Sequence, residues 1–245
     1  MSTAANGHKP TARDAARDAA TAARESLNQA TDRALAAVKP KLRGWIHLGT
    51  APLALASGIV LIALTPAADR WSTAVFAAST VILFTVSAIY HRGTWSERVG
   101  HMLRRMDHSN IFLLIAGTYT PLAWMLLERP TAHLLLALVW GGALVGILMR
   151  VFWLSAPRWL YTPIYVILGW VAVWFLPSFW RAGSPAIVWL VIAGGIAYTV
   201  GAVVYGFKKP NPSPKYFGFH EIFHVCTVIG FVCHSVAVYL TIFLT

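Results

Sequence analysis

The segment 219–244, FHEIFHVCTVIGFVCHSVAVYLTIFL, determines how the rest of the sequence is interpreted. It is apolar over at least the roughly 20 residues that an α-helix needs to cross a bilayer, so we predict a membrane-spanning helix. At its start, His220 and His224 are four residues apart and lie on one face of that helix. This spacing allows two imidazoles to bind one metal ion, most often zinc. Further ligands must come from other segments of the chain.

The composition indicates that this helix is one of several in a membrane protein. Of the 245 residues, 57% are hydrophobic, 12% are charged and 11 are Trp. Long apolar runs, separated by short polar links, recur from residue 45 onward. They predict an all-α, polytopic fold with seven transmembrane helices, at residues 45–64, 71–90, 108–127, 133–153, 160–176, 187–207 and 219–244. We divide the chain into a flexible or partly helical cytoplasmic tail, residues 1–40, and a seven-helix transmembrane domain, residues 41–245.

The basic residues predict how this bundle is oriented. The net charge is +11, and 17 of the 20 Lys and Arg residues precede the first span or fall in the second, fourth and sixth links. Because such segments remain in the cytoplasm, we expect a cytoplasmic N-terminus and a multi-pass protein of the cell (inner) membrane. The charge then reflects topology and contact with anionic membrane lipids, and not nucleic-acid binding. The sequence identifies no protein partner.

This topology brings polar residues from three helices to one membrane depth. The second span ends with Ser87 and His91, and Asp107 directly precedes the third span. Ionisable groups at membrane depth are costly and are usually functional. We therefore predict that His91, His220 and His224 bind Zn²⁺, with water as the fourth ligand. Asp107 would bond that water or orient a ligand, and Ser87 would support a ligand or hold a reacting carbonyl group.

Other polar residues of the spans receive simpler interpretations. His47 and His101 are predicted to lie at the membrane interface, and His234 is predicted to be a buried packing residue. His108 is an alternative to Asp107 as the polar partner of the site.

The same segment also matches the metalloprotease pattern HExxH, in which Glu221 would be the general base. The extended form of that pattern needs Gly at 227 and His at 230, but the chain has Thr227 and Gly230. A protease is therefore the least favoured interpretation. A retinal-binding protein is excluded because the seventh span has no lysine for a Schiff base.

Four motifs resemble those of the hemolysin III family: Ser87-x-x-x-His91, Arg105-Met106-Asp107-His108-Ser109, Gly117-Thr118-Tyr119-Thr120-Pro121 and His220-x-x-x-His224. That family belongs with the progestin and adiponectin receptors and, more distantly, with the alkaline ceramidases. The resemblance spans about residues 41–244 of this sequence. It implies a seven-helix fold, a cytoplasmic N-terminus and an inner-leaflet zinc site. The family's zinc histidines fall at 91, 220 and 224, its aspartate at 107 and its serine at 87.

Two positions bear on this resemblance. The family's residue at position 221 is variable, which argues against a protease base at Glu221. The acidic residue usual before the first span is missing here, and Lys41 and Arg43 stand in that region instead.

The third motif, residues 117–121, also predicts a kink and close helix packing.

The leading hypothesis is a zinc-dependent lipid hydrolase, an amidase of ceramidase type that acts at the inner leaflet. The resemblance to ceramidases motivates it. One alternative is a non-catalytic, receptor-like sensor or regulator of membrane state in which zinc is structural. The family name implies a third, membrane lysis, although nothing in the sequence is typical of a pore-forming hemolysin.

Overall fold

The computed structural model describes Thr21, residues 40–153 and residues 155–244. Apart from Thr21 and Pro40, the predicted tail lies outside the described residues. The described part is helical, without a strand, and one isolated bridge joins Ser213 to Phe217. Its helices are α1 (Trp45–Leu64), α2 (Arg70–Arg92), α3 (Glu97–Leu126), α4 (Arg129–Phe152), α5 (Arg158–Gly169), α6 (Leu176–Ala182), α7 (Pro185–Phe207) and α8 (Phe219–Ile242), with a 3-10 helix (Trp170–Phe175) between α5 and α6.

Seven of the described helical segments are long and apolar enough to cross a membrane. Six are α1 to α4, α7 and α8, and the other is Trp159–Ala182, which includes α5, the 3-10 helix and α6. Many large apolar side chains on these helices are exposed, as expected for surfaces that face lipid. The prediction of an all-α, seven-helix membrane protein is confirmed, and the orientation in the membrane stays a prediction.

The third span begins three turns earlier than predicted. Helix α3 starts at Glu97 and not near residue 108, so only a short link separates it from α2. The added segment is polar, which hid it from a search for apolar runs, but it contains several good helix formers and no proline. Glu97 in the first turn also interacts favourably with the helix dipole. Asp107 therefore projects from within a helix and not from a loop.

The fifth span extends beyond its predicted end at residue 176. Pro177 was expected to end it, but Pro177 lies in the first turn of α6. Proline is tolerated there because the first backbone N–H groups of a helix have no partner within the helix. The preceding residues, Trp170–Phe175, form the 3-10 helix that joins α5 to α6.

Small residues allow the helices to pack closely in the buried part of the bundle. Gly117 of α3 lies against Ser79 of α2, and a Cβ at position 117 would overlap the serine side chain. A Cβ at Gly58 of α1 would lie 2.8 Å from that of Ala77 on α2. The close packing predicted at residues 117–121 is confirmed. The last helix, α8, packs along α7 and also contacts α1 and α3, so it stands inside the bundle.

Candidate metal centre

Three histidines from two helices meet at one end of the bundle. His91 lies in the last turn of α2, and His220 and His224 lie in the first two turns of α8. One ring nitrogen from each lies within 4.8 Å of the others, and the Nε2 atoms of His91 and His220 are 3.1 Å apart. We call these three residues the histidine cluster.

The geometry of the histidine cluster fits a metal ion. Ligand nitrogens at about 2.0–2.1 Å from a tetrahedral zinc ion are separated by roughly 3.3 Å, so small ring movements would complete such a site. His91 and His224 are buried, and Nδ1 of His224 has no hydrogen-bond partner among the described residues. Three imidazoles form a donor set suited to zinc and to other divalent transition metals. The cluster could therefore bind a metal, as the spacing of the sequence predicts.

Asp107 lies beside the histidine cluster. Its Oδ2 atom is 3.6 Å from Nε2 of His91, the same nitrogen that faces His220. Ser87 is buried one turn before His91 on α2 and lines a cavity together with Asp107 and His224. The structure thus brings together all five residues that the sequence singled out, and their roles stay predictions.

His108 is less suited to be the polar partner of a metal. Its Nδ1 donates a hydrogen bond to the carbonyl oxygen of Arg104, at 2.7 Å, so in the neutral ring Nε2 carries the lone pair. That second nitrogen lies 3.3 Å from the hydroxyl of Tyr205. Both nitrogens are therefore engaged away from the histidine cluster.

Glu221 is engaged outside the histidine cluster by both carboxylate oxygens. Nε of Arg43 donates to Oε1 at 2.9 Å, and the backbone N–H of Gly218 donates to Oε2 at 2.8 Å. The glutamate is fully buried, so Arg43 neutralises a charge that would otherwise be costly. This ion pair gives Arg43 a structural role. Both carboxylate oxygens thus bond donors outside the histidine cluster, which disfavours Glu221 as the general base of an HExxH protease.

We expect Glu221→Gln to lower stability and to leave any lipid hydrolysis within about twofold of wild type. The amide keeps an acceptor for Gly218 but loses the charge that pairs with Arg43, at a cost of about 1–3 kcal/mol. Thermal unfolding in detergent and hydrolysis rates measure the two effects. Complete loss of lipid hydrolysis in a folded, metal-loaded variant would instead identify Glu221 as a general base, as the HExxH pattern requires.

His47, which was predicted to lie at the membrane interface, is buried inside the bundle, and its depth in the membrane stays a prediction. His47 of α1 is 2% exposed, and its ring stacks on that of His224 with centroids 3.8 Å apart and planes 17° from parallel. Phe84 also packs against the His47 ring in an edge-to-face arrangement, with centroids 5.0 Å apart. His47 therefore restricts the ring plane of a candidate ligand. His47 lies in an apolar span at the same predicted depth as the histidine cluster. That position could have identified it as a residue of the site from the sequence.

An apolar cavity extends from the histidine cluster into the bundle. Helices α2, α3, α5, α7 and α8 all contribute to its wall, and most of the lining side chains are aliphatic or aromatic. Along α3 the lining runs from Asp107 to Leu122, which is about 22 Å of helix. At its far end are Leu176 and Phe179. The lining is therefore apolar over most of its length, with Asp107 at its polar end.

Comparison with known proteins agrees with the motifs. The family model described as Haemolysin-III related matches residues 35–235. The Hemolysin-3 homolog of Bacillus subtilis (strain 168) is 34% identical over 141 residues, which cover 58% of this chain and 66% of that protein. Hemolysin-3 of Bacillus cereus is 33% identical over 135 residues, with 55% and 61% covered. These matches span slightly less than two thirds of each Bacillus protein.

A plant protein is a more distant relative. The heptahelical transmembrane protein ADIPOR2 of Oryza sativa subsp. japonica is 28% identical over 186 residues, which cover 69% of this chain and 81% of that protein. The family match covers most of the chain and includes every residue of the histidine cluster. The chain therefore belongs to the haemolysin-III-related family of multi-pass membrane proteins.

Proposed function

We propose that this protein is a zinc-dependent hydrolase that cleaves an amide bond in membrane lipids. One observation carries the proposal: a histidine cluster fit for a metal, with a carboxylate beside it, lies at one end of a long apolar cavity within membrane-spanning helices. Such a cavity can hold an acyl chain while its carbonyl group lies at the polar end. The charge distribution of the sequence supports a location in the inner leaflet of the cell membrane.

The residues around the histidine cluster can each contribute to amide hydrolysis. When bound, zinc supplies Lewis acidity that activates water and polarises a carbonyl group. Asp107 accepts a proton from the attacking water and passes it to the departing amine, which would otherwise leave as an anion. Ser87 donates its hydroxyl hydrogen to the substrate's carbonyl oxygen, where negative charge develops.

The surrounding packing keeps these residues in place. Phe84 and the stacked rings of His47 and His224 close one side of the site to water. The side chain of Asp107 is only 14% exposed, so its charge interacts more strongly with its neighbours than it would in bulk water. The apolar lining beyond them accepts the hydrocarbon part of the lipid and excludes water from it.

We expect purified protein in detergent to release fatty acid from ceramide-like N-acyl lipids in proportion to its zinc content. Stripping the protein with a chelator should reduce the rate to background, and adding zinc back should restore it, because the attacking water needs activation. Metal analysis and fatty-acid release, measured on the same samples, test this. Bound zinc without turnover on a broad panel of lipids would contradict the proposal and favour a non-catalytic sensor with structural zinc.

A further inference from the structure

Two polar side chains stand on the cavity wall away from the histidine cluster. His234 of α8 and Tyr198 of α7 both line the cavity, and their rings meet edge-on with centroids 5.4 Å apart. His234 is ten residues beyond His224 on the same helix, which places it about 15 Å further along the helix axis. The pair therefore faces the middle of a chain whose polar end lies at the histidine cluster.

Reciprocal packing holds the two rings in place. A Cβ at Gly194 of α7 would overlap the His234 ring, and a Cβ at Gly230 of α8 would lie 2.6 Å from the ring of Tyr198. Each ring thus fills the space left by a glycine on the facing helix. In both helices the glycine and the ring-bearing residue are four positions apart, so they share one helix face.

Each ring has hydrogen-bonding capacity that the described residues leave unused. Nε2 of His234 lies 3.1 Å from the carbonyl oxygen of Val191. A carbonyl oxygen only accepts, so this nitrogen carries the hydrogen and Nδ1 of the neutral ring is an acceptor. Nδ1 of His234 and the hydroxyl of Tyr198 are both buried without a partner among the described residues. Burying such groups without a partner is costly, and native proteins rarely do so.

The chemistry of this part of the wall selects a neutral partner. Among the described residues that line the cavity, the only one with a side chain charged at neutral pH, histidines aside, is Asp107, at the other end. An anionic or cationic group beside His234 would lack a counter-charge, which disfavours it. A hydroxyl group fits, because it can donate to His234 Nδ1 and accept from the hydroxyl of Tyr198.

We propose that His234 and Tyr198 form a subsite for a hydroxyl group in the middle of a lipid chain. The substrate class is then a lipid with a hydroxylated long chain. A plain methylene group at this point would leave both polar atoms unpaired. The inference rests on the proposed function only in taking a lipid chain as the occupant of the cavity.

Equilibrium binding to the purified full-length protein tests the subsite without requiring turnover. The probes are octadecanoic acid and two hydroxylated derivatives of it that are isomers of each other, one with a mid-chain hydroxyl and one with the hydroxyl beside the carboxyl group. Each competes with a fluorescent fatty acid. We expect the mid-chain isomer to bind about tenfold more tightly than the plain acid, because only it satisfies the two polar groups. The isomer with its hydroxyl beside the carboxyl group should not share this preference.

Tyr198→Phe removes one hydroxyl and keeps the ring against Gly230. We expect it to reduce the preference for the mid-chain isomer about fivefold and to leave the affinity for the plain acid nearly unchanged. The matched control is Tyr119→Phe. Tyr119 also lines the cavity, but its hydroxyl already bonds the carbonyl of Gly169 at 2.6 Å and the N–H of Ala172 at 2.7 Å. That variant should keep the wild-type preference.

Equal affinity of the wild type for the plain and mid-chain acids would overturn the subsite and indicate that water satisfies the two groups. An unchanged preference in Tyr198→Phe would also overturn it. If none of the acids bound, both this inference and the proposed binding of lipid in the cavity would be refuted. Hydrolysis of N-acyl lipids without a hydroxyl preference would refute the subsite alone, whereas the preference without hydrolysis would refute only the proposed activity.

Discussion

His91→Ala is expected to abolish zinc binding at working concentrations and to reduce lipid hydrolysis to background. His91 is the only member of the histidine cluster that comes from α2. Removing it leaves two ligands from a single helix, and two imidazoles hold zinc far more weakly than three. Loss of a partner that merely orients a ligand costs about 10–100-fold in metal affinity, so loss of a ligand should cost more.

Three quantities test this prediction: the zinc content, the zinc affinity from competition with a chelating dye, and the rate of fatty-acid release. His101→Ala is the matched control, since His101 is exposed on α3 and lies outside the histidine cluster. It should retain zinc and activity. Unchanged zinc affinity in a folded His91→Ala protein would disprove the proposed metal site, whatever happened to the activity.

Asp107→Asn is expected to separate catalysis from metal binding. The amide keeps nearly the same size and stays beside His91, so zinc content should change little. It cannot accept a proton from water, however, and loss of a general base typically costs about 10²–10⁴-fold in rate. We therefore expect kcat for fatty-acid release to fall by that factor, with a small change in KM.

Asp69→Asn provides the control for this variant. Asp69 precedes α2 at the other end of the bundle, and its Oδ1 accepts a hydrogen bond from Nε1 of Trp124 at 2.9 Å. An asparagine can keep that bond, so the rate should stay near that of wild type. If Asp107→Asn hydrolysed lipid at the normal rate, the proton would have to move through another group.

Much of the fold could be predicted because a bilayer imposes strict rules on the chain. Apolar runs long enough to cross it are easy to recognise, and five of the seven spans were placed with both ends close to those observed; the exceptions are the start of the third span and the end of the fifth. Polar helix turns carry no such signal, which is why the beginning of α3 at Glu97 was missed. The fifth span was cut short because a proline inside a span cannot be distinguished from a proline that ends it without knowing the local geometry.

The candidate site was predictable to a similar degree. The i and i+4 spacings of Ser87 and His91, and of His220 and His224, place each pair on one helix face, and the topology brings both pairs to one end. Contacts between residues far apart in sequence leave no such pattern. The stacking of His47 on His224 and the pairing of Arg43 with Glu221 therefore appeared only in the structure.

By itself the sequence determined that the chain is a bundle of seven membrane helices, and which polar residues stand at one depth within it. It could do so because hydrophobic length and helical periodicity are local properties of the chain. Only the tertiary structure decided which side chains touch: that the histidines come within ligand distance, that Glu221 is engaged elsewhere, and that a cavity leads from Asp107 to His234. Those outcomes depend on how the helices rotate and pack against one another. Side-chain volumes determine that packing, through contacts between segments that are distant in the sequence.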